Sequence, residues 1–307
     1  MPRTRKKRIK RAIFTVLTIL IIFLVFFAIA ETFSRAIIGK RLIVTVEESG
    51  LYYFNPNQEG WYSYSLKVPK ARINNIGARG SDIEETNKTK YVFFGDSFTF
   101  GWGLNDNETI PVYFNEETKN PVINFGNGGY GLDHMIESYK FHNSLFKEND
   151  VILVFLIEAD FYRPLIPYQK SFEKEMFWKV KEKSSFIAWT WATSQHLMGA
   201  LEGKDDIKIK EEKDIFIENR EKLLSFNDLV EGNNQKLIYV FYEYNKTKYS
   251  LDAGAFCKEN SLNCITDIYE FTNKVDPGIR YIYDGSHPSK ESNKEVATGI
   301  AKFINNN

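Results

Sequence analysis

Ser97 lies in Gly95-Asp96-Ser97-Phe98, directly after the apolar run Tyr91-Val92-Phe93-Phe94, and His287 lies in Asp284-Gly285-Ser286-His287-Pro288 near the C-terminus. A serine hydroxyl is not appreciably ionised at neutral pH, so it becomes a nucleophile only beside a base. Imidazole suits that task, and a carboxylate three residues earlier in one turn can hold its other ring nitrogen. Together the three groups would attack a carbonyl and form a covalent serine ester. Each segment alone also reads as something plainer. Gly-Asp-Ser is frequent loop punctuation, and Asp-x-x-His is commonly a turn with a surface histidine. Of the other histidines, His134 and His142 fall on or near a helix, where core-edge or surface roles suit them, and His196 lacks a comparable arrangement.

Asn124-Phe125-Gly126-Asn127-Gly128-Gly129-Tyr130-Gly131 is a third segment with chemical promise. Its glycines let a backbone N–H approach a ligand closely. Gly126, Gly128 and Gly131 also spell the G-x-G-x-x-G dinucleotide fingerprint. That reading is the weaker one. The run follows the second strand of the alternating region, an acidic partner at the expected distance is unclear (Glu158 and Asp160 are the nearest), and an exported domain is a poor place for a nicotinamide cofactor. Neither cofactor nor metal is expected, since there is no C-x-x-C and no H-E-x-x-H.

These segments sit between alternating strands and helices. Tyr91–Phe94, Val122–Phe125, Val151–Ile157, Leu237–Tyr242 and a weaker Cys264–Ile268 read as strands. Val151–Ile157 (VILVFLI) is continuously apolar, as a central parallel strand covered on both faces must be. Pro111 fits the first turn of one helix. Leu132, Met135, Ile136, Tyr139 and Phe146 recur at helical spacing, and Val296, Ile300, Phe303 and Ile304 form one face of a last helix with a Ser292–Glu295 capping box. Repeated β-α units predict an α/β fold, a three-layer parallel sheet of about five strands. Ligands bind outside the carboxyl ends of such strands, which displays Ser97 instead of burying it, near a helix N-terminus. An insertion, about 161–235, interrupts the alternation. It holds Phe172, Phe177, Trp178, Phe186, Trp189 and Trp191, read as its own small core or as sugar-stacking and acyl-lining rings, and the mixed-charge run Lys204–Lys222, read as a solvated face.

The whole chain is 307 residues with zero formal net charge, but the charge is unevenly placed. Residues 1–11 carry seven basic groups and no acid, and residues 12–30 carry no charge, so the remainder is net −7. An acidic body argues against a nucleic-acid partner. Ala12–Ala30 is 19 uncharged residues, about 28 Å as a helix, enough for a bilayer core. The basic tail predicts a cytoplasmic N-terminus and a body outside. A cleaved signal peptide is the rival, because Ala28-Ile29-Ala30 resembles a cleavage site, yet the apolar run is long and Phe26 and Phe27 crowd the site. The organisation is therefore a tail (1–11), a transmembrane helix (12–30), a membrane-proximal segment (31–84) with strand-like stretches at Arg41–Val46 and Trp61–Val68, and a domain over 85–307. Cys257 and Cys264 are either a short-loop disulfide or two buried thiols. Asn87, Asn107 and Asn245 head N-x-S/T sequons, which matter only in a host that glycosylates exported proteins.

In order and spacing the three segments resemble the blocks of the SGNH (GDSL-type) hydrolase superfamily, over about residues 70–307. Arg72–Gly80 and Gly101-Trp102-Gly103 are similar to stretches of its membrane-anchored or exported members. The resemblance implies a flavodoxin-like sheet, Ser97 as nucleophile, His287 as base, Asp284 as its partner, and the N–H of Gly129 in the oxyanion hole. It implies ester hydrolysis on an extracellular glycan or lipid, or acyl transfer to a surface polysaccharide. One position departs. Where the family places an asparagine after the third strand, this chain has Ala159 in Ile157-Glu158-Ala159-Asp160, which has no side-chain donor. Losing one such donor typically costs about 10²–10³ in kcat. Asn127 is the candidate replacement; otherwise the fold serves as a catalytically impaired, glycan-binding or assembly protein. Oligomeric state is not legible.

Overall fold

A computed structural model describes residues 2–37, 39, 42–62, 70–84, 86–166, 184–187, 190, 193–194, 215–282 and 284–306. Five strands form one parallel sheet: β5 (Tyr91–Phe94), β6 (Val122–Asn124), β7 (Val151–Leu156), β8 (Lys236–Phe241) and β9 (Cys264–Ile265), in the order β6-β5-β7-β8-β9. The alternation of side chains along each strand divides the core in two. Val92, Phe94, Ile152, Val154 and Leu156 face helices α4 (Leu132–His142), α5 (Ile215–Glu231) and α6 (Lys248–Glu259). Phe93, Leu153, Phe155, Ile238 and Val240 face α3 (Ile110–Thr118) and α8 (Lys290–Asn306), with the short α7 (Tyr269–Thr272) beside α8. All six residues of β7 are buried, which is why that strand shows no polar alternation. Strand order reverses around β5, so the crevice at the carboxyl ends of β5 and β7 is the switch point where such sheets bind ligands.

Several expectations shift in detail. Phe146 lies beyond α4, after a 3-10 turn at Asn143–Leu145, yet still packs on the core that α4 faces. Ser289, not Ser292, caps α8: its Oγ accepts the Ser292 N–H at 3.2 Å, while the Ser292 hydroxyl donates to the Arg280 carbonyl. The fifth strand is two residues, Cys264–Ile265. The end of the insertion, 215–231, is an ordinary crossover helix, and Ile215 and Phe216 of the mixed-charge run are buried in its packing. Lys204–214 and the aromatics Phe172, Phe177, Trp178, Trp189 and Trp191 lie outside the described residues. Cys257 and Cys264 are disulfide-bonded, tying the end of α6 to β9.

The N-terminal part has two antiparallel pairs, β1 (Val44–Val46) with β2 (Tyr52–Phe54) and β3 (Gln58–Trp61) with β4 (Lys70–Ile73). Strand β3 thus ends at the residue where the expected Trp61–Val68 stretch begins, and 63–69 lie outside the described residues. This part shares its packing with the sheet domain. Leu42, Tyr62, Ala71 and Ile73 bury with Phe100, and the Arg79 backbone bridges to Asn124 at the end of β6. Helix α1 (Pro2–Ile37) contains a stretch, Lys10–Ala36, long and apolar enough to cross a membrane. Near its end Glu31 accepts hydrogen bonds from Ser184 Oγ and from the Ser185 and Phe186 N–H, and the rings of Phe26 and Phe27 meet Phe186 edge-on.

Candidate active site

Chain direction after β5 is set by Asp96. Its Oδ1 accepts the Phe98 N–H at 2.8 Å, capping the one-turn helix α2 (Ser97–Phe100), which ends at Gly101 in the left-handed region. That single turn places Ser97 at the crevice with its N–H pointing out of the helix start. The far end of α2 is fixed by Arg79, 5% exposed, whose guanidinium donates to the carbonyls of Phe100, Gly101 and Leu104 and to Asp106. A buried cation surrounded by oxygens in this way holds the turn rigid.

Ser97 and the C-terminal turn, 190 residues apart, meet here: Ser97 Oγ lies 2.9 Å from His287 Nε2. On the other side of the ring, His287 Nδ1 lies 2.5 Å from Asp284 Oδ2. The second Asp284 oxygen accepts the N–H groups of Ser286 and His287, each at 2.9 Å, so the carboxylate orients both its own turn and the ring. Burial by itself would raise the Asp284 carboxyl; the hydrogen bonds from the His287 ring and from the two backbone N–H groups outweigh it and hold the group well below the usual carboxylate range. An ionised Asp284 makes Nδ1 the protonated ring nitrogen and leaves Nε2 to accept from Ser97. The imidazole is held between two rings, Phe98 edge-on at 5.4 Å and Trp102 stacked at 6.0 Å between centroids.

Gly129 sits on the loop after β6 with φ +84°, a conformation open to glycine at little cost. A methyl group there would also stand 3.1 Å from the Tyr52 hydroxyl. Among the described residues no hydrogen bond uses the N–H of Ser97 or of Gly129. Asn127, the candidate extra donor, is engaged elsewhere: its side-chain amide donates to the Tyr52 carbonyl at 3.3 Å and its backbone N–H to Gly95. Ala159 lies in the 3-10 turn Glu158–Tyr162 and supplies no side-chain donor. The G-x-G-x-x-G run is filled by protein. A Cβ on Gly126 would stand 2.4 Å from the Phe100 nitrogen, one on Gly131 2.4 Å from the Arg163 carbonyl oxygen, and one on Gly128 3.1 Å from the Trp102 ring. Its glycines serve close packing of loops, which a dinucleotide would have to displace.

His134 and His142 belong to the core. His134 stacks on Tyr130 and accepts the Gly131 N–H; His142 stacks on Phe125, and burial lowers it to about 4. His196 lies outside the described residues. Two residues at the site gave no signal in the sequence. Tyr52, from the membrane-proximal segment, donates its hydroxyl to the Gly128 carbonyl and accepts from Tyr130 and Asn127 on its own carbonyl, bracing the glycine loop. Arg163 joins the ends of three strands through one nitrogen.

The chain is similar in fold to solved SGNH and GDSL-type hydrolases. A protein assigned to the lipolytic G-D-S-L family from Desulfitobacterium hafniense DCB-2 is 14% identical, with 70% of this chain and 99% of that one covered and a TM-score of 0.45. A member of the same family from Veillonella parvula DSM 2008 is also 14% identical, over 70% and 97%, with a TM-score of 0.44. AlinE4, an SGNH-hydrolase family esterase, is 13% identical over 73% and 98%, with a TM-score of 0.40. No protein-family model and no curated protein matches the chain.

Proposed function

We propose that the chain is a serine ester hydrolase. One observation carries the reading: the unbroken line of hydrogen bonds from Ser97 Oγ to His287 Nε2 and from His287 Nδ1 to Asp284. His287 Nε2 takes the Ser97 proton as Oγ attacks the ester carbonyl. The N–H groups of Ser97 and Gly129 receive the developing oxyanion. The alcohol departs with the proton from His287, and water, deprotonated in turn by His287, releases the acid. A sugar hydroxyl in place of that water would make the same site an acyltransferase.

Helix α1 serves in this reading as an uncleaved anchor, with residues 1–11 cytoplasmic and the body outside, so the substrate is an ester-bearing extracellular glycan or lipid. Retention is supported by Phe186, whose ring contacts Phe26 and Phe27 on the part of α1 that cleavage after Ala30 would remove. Chain purified from membranes should therefore show the intact mass from residue 1; a mass beginning at Glu31 would refute the anchor. For the chemistry, the full chain in detergent is expected to hydrolyse a short-chain nitrophenyl ester and to be labelled by a fluorophosphonate on Ser97, located by mass spectrometry. If neither turnover nor labelling occurs, the esterase reading is wrong.

A further inference from the structure

Arg163 follows β7 on the segment that lacks a side-chain donor at Ala159. Its NH1 donates to three acceptors: Asp96 Oδ2 at 3.0 Å, the Tyr130 carbonyl at 3.0 Å and Asp160 Oδ1 at 2.6 Å. Each acceptor has a meaning for the site. Asp96 precedes Ser97, and its other oxygen caps α2. Tyr130 follows Gly129. Asp160 closes the turn after β7, its other oxygen accepting the Ile157 N–H at 3.0 Å. One nitrogen thereby ties the ends of β5, β6 and β7, and it bonds to the immediate neighbours of both residues whose N–H groups stand unengaged.

The surroundings make this cation necessary. Asp96 and Asp160 are 2% and 1% exposed, and two carboxylates in one buried place repel each other. Burial first, and then the charge of Asp96, push the Asp160 carboxyl up; Arg163 opposes both. The backbone fits the same arrangement, since a Cβ on Gly131 would stand 2.4 Å from the Arg163 carbonyl oxygen and 2.6 Å from that of Asp160. Only glycine lets the 160–163 turn approach the loop that carries Gly129 so closely.

We infer that Arg163 is the positioning residue of the oxyanion hole: by holding Asp96 and Tyr130 on one nitrogen it fixes the separation of the Ser97 and Gly129 N–H groups, and so lets two backbone donors serve where Ala159 offers none. This rests on the esterase reading above. Misplacing catalytic groups by about 1 Å can cost about 10²-fold in rate. Arg163→Gln keeps hydrogen-bonding capacity but loses the charge, and should lower kcat for the nitrophenyl ester about 10²-fold with KM within about twofold. Fluorophosphonate labelling of Ser97 should slow in proportion. Arg163→Lys restores a cation with three N–H donors on a shorter stem, and should lose only about tenfold in kcat, again at unchanged KM.

A role confined to stability would lower the melting temperature of both variants and leave kcat of the folded protein alone. Folded Arg163→Gln protein with wild-type kcat, a loss expressed in KM only, or a lysine variant as inactive as the glutamine one would each overturn the inference. If Arg163→Gln does not fold, Arg163→Lys decides by itself: a kcat lowered at constant KM supports the role, an unchanged kcat refutes it. Failure of the esterase reading looks different, because then the wild type itself neither turns over nor labels.

Discussion

Ser97→Ala is expected to lower kcat for ester hydrolysis by about 10⁶-fold, the loss seen when the nucleophile of a serine triad is removed. The side chain is small and one of the few polar groups at the crevice whose contacts are all chemical: Oγ meets His287 Nε2 at 2.9 Å and, more weakly, Asp96 Oδ2 at 3.4 Å. Its removal opens no apolar cavity, and an ordinary hydrogen bond contributes only about 0.5–1.5 kcal/mol, so the variant should unfold within that range of the wild type. Large loss of turnover with small loss of stability is the signature to measure, by steady-state kinetics and denaturant unfolding on the same preparations. Turnover retained in Ser97→Ala would move the nucleophile elsewhere. Ser286 also brings a hydroxyl to the ring, but it faces Nδ1 at 3.4 Å, the nitrogen already bound to Asp284, and is placed to be a spectator.

How much of this was legible in the sequence depends on the range of each interaction. The strands of the sheet were, because a parallel strand buried on both faces must be an apolar run, and Val151–Leu156 is one. The Asp284–His287 pairing was also legible, since it is an i,i+3 contact within one turn. Ser97 with His287 spans 190 residues and was expected only from the chemistry of the two side chains and the resemblance that the ordered segments carry. Asp96 as a cap was not read from the sequence, although an aspartate directly before a helix start is a favoured cap. Arg163 and Tyr52 did not show, because all that they hold, apart from Asp160, lies 33 to 78 residues away and their own neighbours carry no periodic or turn signal. Asn127 was a sensible donor by type, but nothing local could foretell that the Tyr52 carbonyl would take its amide. The capping box at Ser292–Glu295 failed for a related reason. Two serines three residues apart compete, and the antiparallel bridge of Tyr281 with Pro288 places Ser289 at the helix start.

Asp284→Asn should lower kcat by about 10⁴-fold, through the tautomer of His287 and not through distance. In the wild type one carboxylate oxygen accepts both turn N–H groups and the other accepts Nδ1–H. Asparagine can keep the first pair only by placing its oxygen there, which turns its NH₂ toward Nδ1. Two donors cannot share a bond, so the ring must carry its proton on Nε2 and present a donor to the Ser97 hydroxyl, the reverse of what a base must do. The turn itself survives, so Ser97–His287 separation should change little while turnover collapses. Stability gives an independent reading. Because the fold holds the Asp284 carboxyl below its ordinary value of 3.8, the ionised group stabilises the folded chain at pH above that value, and this contribution is lost as pH falls through the lowered one. The stability difference between wild type and Asp284→Asn should therefore be largest near neutral pH and shrink below about pH 4. Denaturant midpoints of both proteins at pH 7 and pH 3 test it, and a difference that stays constant or widens in acid would mean that Asp284 is not held ionised by the turn, leaving the tautomer argument without its cause.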